Sequence, residues 1–360
     1  ENIVALLSQV VELAEGKVEQ SGDGAFWTRA MRELLRNSVD LLAISHGTIS
    51  LEAIMKLIAD APQSSAEAEK ILAETEAESP ENFCALCLKL ADEKKKSARE
   101  AHDLEVSATF WLKLYPGMAD KTRAGVVSTF TGVADLLLHG IAWELLATDT
   151  TIVPDVTWRD GAIIILDLPI QEYGEVGRIC QGIFKFMWQK AVLRRDVKQF
   201  PRPVFLWADE AQNFVSSFDF QYQSVARSAR ACTVYLTQNI SNYYAVLGRG
   251  SRDAANSLLG LFQTVIWHAN GDAVTNVWAS ERISQEKTTN FSFNAGTSQS
   301  GASQSTGGSE AVRLKLLPAE FTTLMKGGPA NNFQVEGIVF QGGRIWKATN
   351  DTYTRCVFRQ

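Results

Sequence analysis

No glycine-rich phosphate loop of the form GxxxxGK[ST] occurs in the 360 residues. Such a loop cradles phosphates with backbone N–H groups and a lysine, so the chain as given is expected to bind nucleotide weakly or not at all. Gly125, Gly132 and Gly140 stand in a helical context. Gly248-Arg-Gly250-Ser-Arg252 lacks the lysine and reads as a turn before a helix that could add a basic loop. Histidine is scarce, and His46, His102, His139 and His268 form no HExxH or similar motif. A histidine-centred metal or catalytic site is therefore disfavoured. The five cysteines are scattered and odd in number, which argues for a reducing compartment rather than a disulfide framework. Cys84-x-x-Cys87 has no second pair at ligand spacing, so two buried small residues are the better reading.

Other shortages narrow the function classes. The formal net charge is -6, so the chain is no bulk basic binder of nucleic acid, and any such contact must be local. No uncharged apolar run spans a membrane. Thr129 to Ala147 contains Asp135, His139 and Glu144 and reads as a buried amphipathic helix. The chain starts at Glu1 in a helical pattern with no signal peptide. It reads as a piece with an upstream part removed, and any membrane anchor is expected before residue 1.

What is present falls into two periods. The first 150 residues are helical in pattern, with apolar stripes over Asn2 to Glu15 and Phe26 to Ile44. Ser50 reads as the N-cap of a helix over Leu51 to Ala59. Shorter helices are expected over Ala66 to Glu76 and Glu81 to Lys96, and a longer block over Asp120 to Leu146. Then apolar runs of strand length appear: Ile163 to Leu168, Val204 to Ala208, Thr233 to Leu236 and Thr264 to His268. Helices between them, such as Glu175 to Arg194, predict an α/β fold with a mainly parallel sheet covered on both faces. Ser284 to Ser309 is rich in Ser, Thr, Gly, Asn and Gln and reads as a flexible loop. A closing β element is expected over Gln334 to Phe340 and Arg344 to Lys347.

The chemistry concentrates in Pro203-Val-Phe-Leu-Trp-Ala-Asp209-Glu210-Ala-Gln212. An apolar strand ending in two carboxylates matches the Walker B pattern. At a strand end the backbone turns away and both acids face the crevice. Asp209 can hold Mg²⁺, usually through water, and Glu210 can orient and deprotonate an attacking water. A helix N-cap is the bland alternative. Ile163-Ile-Ile-Leu-Asp167 is a competitor, but Leu168-Pro169 follows, leaving no second acid; capping is the favoured role for Asp167. Gln238 ends the next strand and can sense a γ-phosphate; its alternative is a turn residue beside Asn239. Arg227 and Arg230 just before that strand can stabilise charge on a transferring phosphoryl group, or can simply be surface arginines.

Val204 to Gln238 resembles the TraD/TraG-type coupling proteins of type IV secretion and conjugation. The likeness extends to Phe26-Trp27-x-x-Ala30-Met31-x-x-Leu34-Leu35, to the helical region 45–125, to Ala254–Ala279, and to the C-terminal β element from Gly337–Phe340 to Phe358–Gln360. It implies a RecA-like P-loop NTPase core with an inserted all-α domain. Residues 1–44 and 126–360 would then belong to the nucleotide-binding domain, 45–125 to the all-α domain, and 284–309 to a flexible loop. By the same resemblance, Asp209 and Glu210 are the Walker B pair, with Asp209 on ATP and Mg²⁺. Gln238 is the sensor glutamine. Arg227 is the arginine finger, with Arg230 as the backup choice. The Walker A loop and membrane helices lie upstream in this family.

The implied protein is an ATPase at the cytoplasmic face of the bacterial inner membrane. It would be a homo-hexamer with DNA in its central channel. It would meet relaxosome or relaxase proteins through the all-α domain, and would deliver substrate to secretion channel components. A duplex-DNA translocase of the FtsK/HerA kind is one alternative, disfavoured by the helical insertion. A degenerate, non-hydrolysing scaffold is the other.

Overall fold

A computed structural model describes residues 2–15, 23–247, 252–298 and 301–360. The expected basic turn Gly248–Arg252 lies almost wholly outside them. The chain divides into two compact units, Glu1–Tyr235 with Val246–Gly248, and Leu236–Ala245 with Arg249–Gln360.

The first unit is mostly helical. Its helices are α1 (Asn2–Glu15), α2 (Asp23–His46), α3 (Leu51–Ala59), α4 (Ser65–Glu74), α5 (Phe83–Glu93), α6 (Ala98–Thr109), α7 (Asp120–Leu137), α8 (Gly140–Leu146), α9 (Val156–Arg159) and α10 (Ile170–Arg194). One turn of π-helix, Phe110–Leu114, follows α6 and buries Phe110 and Trp111. The apolar stripe of α2 (Met31, Leu34, Leu35, Leu41, Leu42) is fully buried. Ser38 and Ser45, buried on the same helix, satisfy their hydroxyls by donating to the carbonyls of Leu34 and Leu41. Ser50 caps α3 by accepting from the Ala53 N–H at 3.1 Å, as its position predicts. Cys84 and Cys87 are fully buried in the core on α5, where burial pushes their thiols up to about 12 and about 11.

Two helical expectations are refined. The Asp120 to Leu146 block breaks at Leu138-His139, where Gly140 has φ 54°. Helix α10 contains a break at Gly174 (φ 54°, ψ -129°), a conformation open only to glycine, so its regular part starts at Glu175. Among the described residues no single helix is long and apolar enough to cross a membrane.

Among the described residues the parallel pairing is a two-stranded sheet of β1 (Val204–Ala208) and β2 (Ala231–Tyr235), in register from Val204 opposite Ala231 to Ala208 opposite Tyr235. Helix α11 (Ser217–Val225) makes the crossover between them. It packs with α9, α10 and β1 in a second core of Trp158, Phe186, Trp188, Val204, Phe218 and Tyr222. The expected strand Ile163 to Leu168 is not in any sheet. Its Ile163 and Ile165 are 89% and 82% exposed. The Leu168 carbonyl accepts from the Gln181 side chain instead of a ladder N–H, and Pro169 has no N–H to give.

The second unit holds most of α12 (Ile240–Leu247) and all of α13 (Arg252–Gly260). Its sheet is antiparallel, in the order β3 (Thr264–Trp267), β6 (Gln334–Gln341), β7 (Tyr353–Arg359). The mainly parallel sheet predicted from the alternation of elements is thus corrected: β3 pairs with the late strand β6 rather than joining β1 and β2. The closing strand is β7, while Arg344 to Lys347 lies in the β6–β7 connection, where Trp346 bridges to Asp351. Helices α14 (Ala273–Ile283) and α15 (Pro318–Thr322) pack on this sheet through Ile283, Phe321 and Trp267.

Residues 284–309, expected to be a loop, lie largely in a two-stranded ribbon of β4 (Gln285–Ser298) and β5 (Gly301–Leu314). The ribbon stands on backbone hydrogen bonds, which need no apolar composition, and on cross-strand ion pairs such as Arg313 with Glu286 and Lys287 with Glu310.

Candidate functional site

Strand β1 delivers Asp209 and Glu210 at its C-terminal end. Asp209 is exposed, and its Oδ1 accepts from the Glu210 N–H at 3.0 Å. Its other oxygen takes no hydrogen bond among the described residues. That arrangement suits Mg²⁺, which is bound through one or two carboxylates, water and substrate phosphates rather than an all-protein cage. The sequence holds no GxxxxGK[ST] loop, so the described residues fit the metal and water side of a nucleotide site and not its phosphate-gripping side.

Glu210 has left-handed backbone angles, φ 48° and ψ 45°. For a residue with a side chain this costs about 1–2 kcal/mol. The conformation swings the chain from β1 into a short 3-10 turn, Ala211–Asn213, closed by Asn213 N–H donating to the Glu210 carbonyl at 2.9 Å. Buried Gln212 reaches back and donates to Glu210 Oε2. The carboxylate is thereby aimed, and neither acid caps a helix: the next helix, α11, is capped by Ser216 with Asp219. The N-cap alternative for Asp209 falls. Asp167, expected to cap, accepts no hydrogen bond among the described residues, and α10 starts behind Pro169.

A cavity of about 890 Å³ opens between the extended stretch 161–166 and β1, with Asp209 and Lys185 among its lining. Phe205 and Trp207, on one face of β1, are 58% and 67% exposed.

Arg227 and Arg230 occupy the turn between α11 and β2. Arg227 is exposed, and its guanidinium has no hydrogen bond or ion pair among the described residues. Arg230 is committed to the fold. It has φ 50°, donates to the Pro201 carbonyl at 2.9 Å, and its own carbonyl accepts from Val204 N–H at 3.1 Å. Gln238 belongs to the second unit. Its carbonyl accepts from Asn270 Nδ2 at 2.8 Å, and Asn270 Oδ1 in turn accepts from Asp272 N–H at 2.7 Å. Asp272 caps α14, and Thr275 beside it accepts from Ile240 N–H, the first residue of α12. The segment bearing Gln238 is therefore tied to the β3–α14 junction.

A group the sequence did not disclose lies behind β1 and β2. Asp219, 1% exposed, accepts from Lys185, Gln189, Tyr235 and both the N–H and hydroxyl of Ser216. Burial pushes its carboxyl up, but the Lys185 ammonium and the hydrogen bonds from Lys185, Tyr235 and Gln189 outweigh that and hold it below its ordinary value. No local signal could have found it, because Lys185 and Tyr235 are remote from Asp219 in sequence.

Residues 203–326 match the family model described as the TraM recognition site of TraD and TraG. Over this segment the chain is similar to TraD and TraG. No curated protein sequence matches. Among solved structures, the bacterial conjugative coupling protein TrwBdeltaN70, in its unbound monoclinic form, is similar at 14% identity with a TM-score of 0.51, covering 95% of this chain and 67% of that one. The plasmid coupling protein TrwB in complex with the non-hydrolysable GTP analogue GDPNP is similar at 13% identity with a TM-score of 0.52, covering 98% and 68%. At such identities the likeness speaks for the fold. Within the TraD/TraG-type match lie Asp209, Glu210, Arg227, Arg230 and Gln238, and the carboxylate pair opens it.

Proposed function

We propose that the protein is the motor subunit of a conjugative coupling machine, an ATPase that moves DNA or relaxase–DNA substrates toward a type IV secretion channel. The observation that carries this reading is the aimed Asp209–Glu210 pair at the end of a parallel strand, inside the segment matched to TraD and TraG. Glu210 would take the proton of the attacking water while Asp209 holds Mg²⁺ through water. Arg227, exposed and uncommitted among the described residues, suits an arginine finger acting on the neighbouring subunit of a hexamer; Arg230, anchored to Pro201, suits it less. Gln238 would sense the γ-phosphate.

The RecA-like core with residues 45–125 as an inserted all-α domain is part of this reading, as is a place at the cytoplasmic face of the inner membrane. Contact with the relaxosome is proposed through the all-α domain. The family description puts a TraM recognition site in TraD and TraG, which adds the region 203–326 as a second candidate surface. That match weighs against the FtsK/HerA alternative, and the aimed acid pair weighs against a degenerate scaffold. The test is ATP turnover by the full-length protein. Glu210→Gln is expected to abolish turnover while leaving ATP binding in place, and turnover equal to wild type overturns the assignment.

A further inference from the structure

We infer that Asp219 is a positioning residue that fixes the C-terminal ends of β1 and β2 relative to one another, and so sets the geometry of hydrolysis. This rests on the ATPase reading above. Asp219 stands at the third position of α11, where a capping box needs only Ser216. A cap is ordinarily wet. Here the carboxylate is 1% exposed and also accepts from side chains of two other elements. Lys185 and Gln189 reach it from α10, and Tyr235, the last residue of β2, donates to Oδ1 at 2.6 Å. With Ser216 N–H at 2.8 Å and its hydroxyl at 3.2 Å, five donors meet a group with about four acceptor sites. The carboxylate is saturated and cannot turn without breaking bonds. Among the described residues the Gln189 side chain is held by this contact alone, its Oε1 being buried without a hydrogen-bond partner.

Both strand ends hang on this one group. Upstream, Glu210 connects to Ser216 through residues 211–215, all buried but the half-buried Asn213, so a shift of Ser216 is carried back toward Glu210. Downstream, Tyr235 closes β2 opposite Ala208, the last residue of β1. Lys185, whose ammonium neutralises Asp219, is also among the residues lining the cavity that Asp209 borders. A pair serving stability alone would be replaceable by apolar groups without loss of turnover.

The experiment measures ATP turnover and thermal unfolding of the full-length protein and its variants. Tyr235→Phe removes one hydrogen bond and keeps the ring. It is expected to lower kcat about tenfold with KM within about twofold, and with a thermal midpoint close to wild type. Lys185→Met/Asp219→Leu, an apolar replacement of the pair, is expected to fold and to lose at least as much kcat. A kcat equal to wild type in either folded variant overturns the inference, as does a loss that follows the unfolded fraction and disappears on cooling. Glu210→Gln runs beside them. If the wild type turns over no faster than Glu210→Gln, the ATPase reading itself fails and this inference with it. If it does turn over faster, the result for Tyr235→Phe bears on Asp219 alone.

Discussion

Gly177 passes under the carbonyl of Leu168 so closely that a methyl group at residue 177 would stand 2.8 Å from that oxygen. Leu168 closes the extended stretch that borders the cavity, and Gln181 one turn further on donates to the same carbonyl. Helix α10 thus grips this stretch at a site where only glycine fits. In a free helix Gly→Ala gains about 1 kcal/mol. Here the backbone would have to move, so Gly177→Ala is expected to destabilise the protein by about 1–3 kcal/mol. A chemical-denaturation midpoint above that of wild type contradicts the contact.

The buried pair Lys185–Asp219 yields a second expectation. Lys185→Met leaves a desolvated carboxylate facing Gln189, Ser216 and Tyr235 with no cation, which costs about 3–5 kcal/mol. Adding Asp219→Leu removes the stranded charge, and the double variant should regain most of that loss. Equilibrium unfolding of the single and double variants, closed into a cycle with Asp219→Leu, gives the coupling directly.

Acid sensitivity follows from the same carboxyl. Its folded pKa lies below the ordinary value of 3.8. A depressed carboxyl stabilises the fold fully above its unfolded value, and that contribution fades as pH falls through the folded value. Stability should therefore drop below about pH 4. The drop should be shallower in Asp219→Asn than in wild type, even if the variant is weaker at neutral pH. Parallel pH profiles for the two would show that Asp219 titrates alike in both states.

The two arginines should separate by readout. Arg227→Ala is expected to lower turnover of the assembled full-length protein by about a thousandfold with its melting temperature unchanged. Arg230→Ala loses the bond to the Pro201 carbonyl and should cost about 1 kcal/mol of stability, with a smaller effect on turnover. The reverse pattern would move the finger to Arg230.

The legible parts of the fold are those written in local chemistry. Leu51–Ala59 and Val204–Ala208 are found where a capping serine and an apolar run ending in Asp209 predict them. The break before Glu175 is legible as Gly174. Ile163–Leu168 has the composition of a buried strand, yet a strand exists only by pairing, and its exposed isoleucines have no neighbour beside them. The β4–β5 ribbon was hidden for the opposite reason, since its Ser and Gly content resembles a linker while its backbone pairs along both strands. At the site, Asp209 and Glu210 could be read from the strand end. The help of Gln212 and the convergence of Lys185, Asp219 and Tyr235 depend on contacts made only after the chain has folded.

The left-handed backbone at Glu210 sets stability against chemistry at a single position. Glycine there would relax the main chain and raise the melting temperature, yet remove the carboxylate expected to act on water. A library screened only for heat resistance should therefore enrich substitutions at 210 that leave a sturdier and inert protein. Where Glu210 acts as proposed, thermostability gained at this residue would be a sign of lost function.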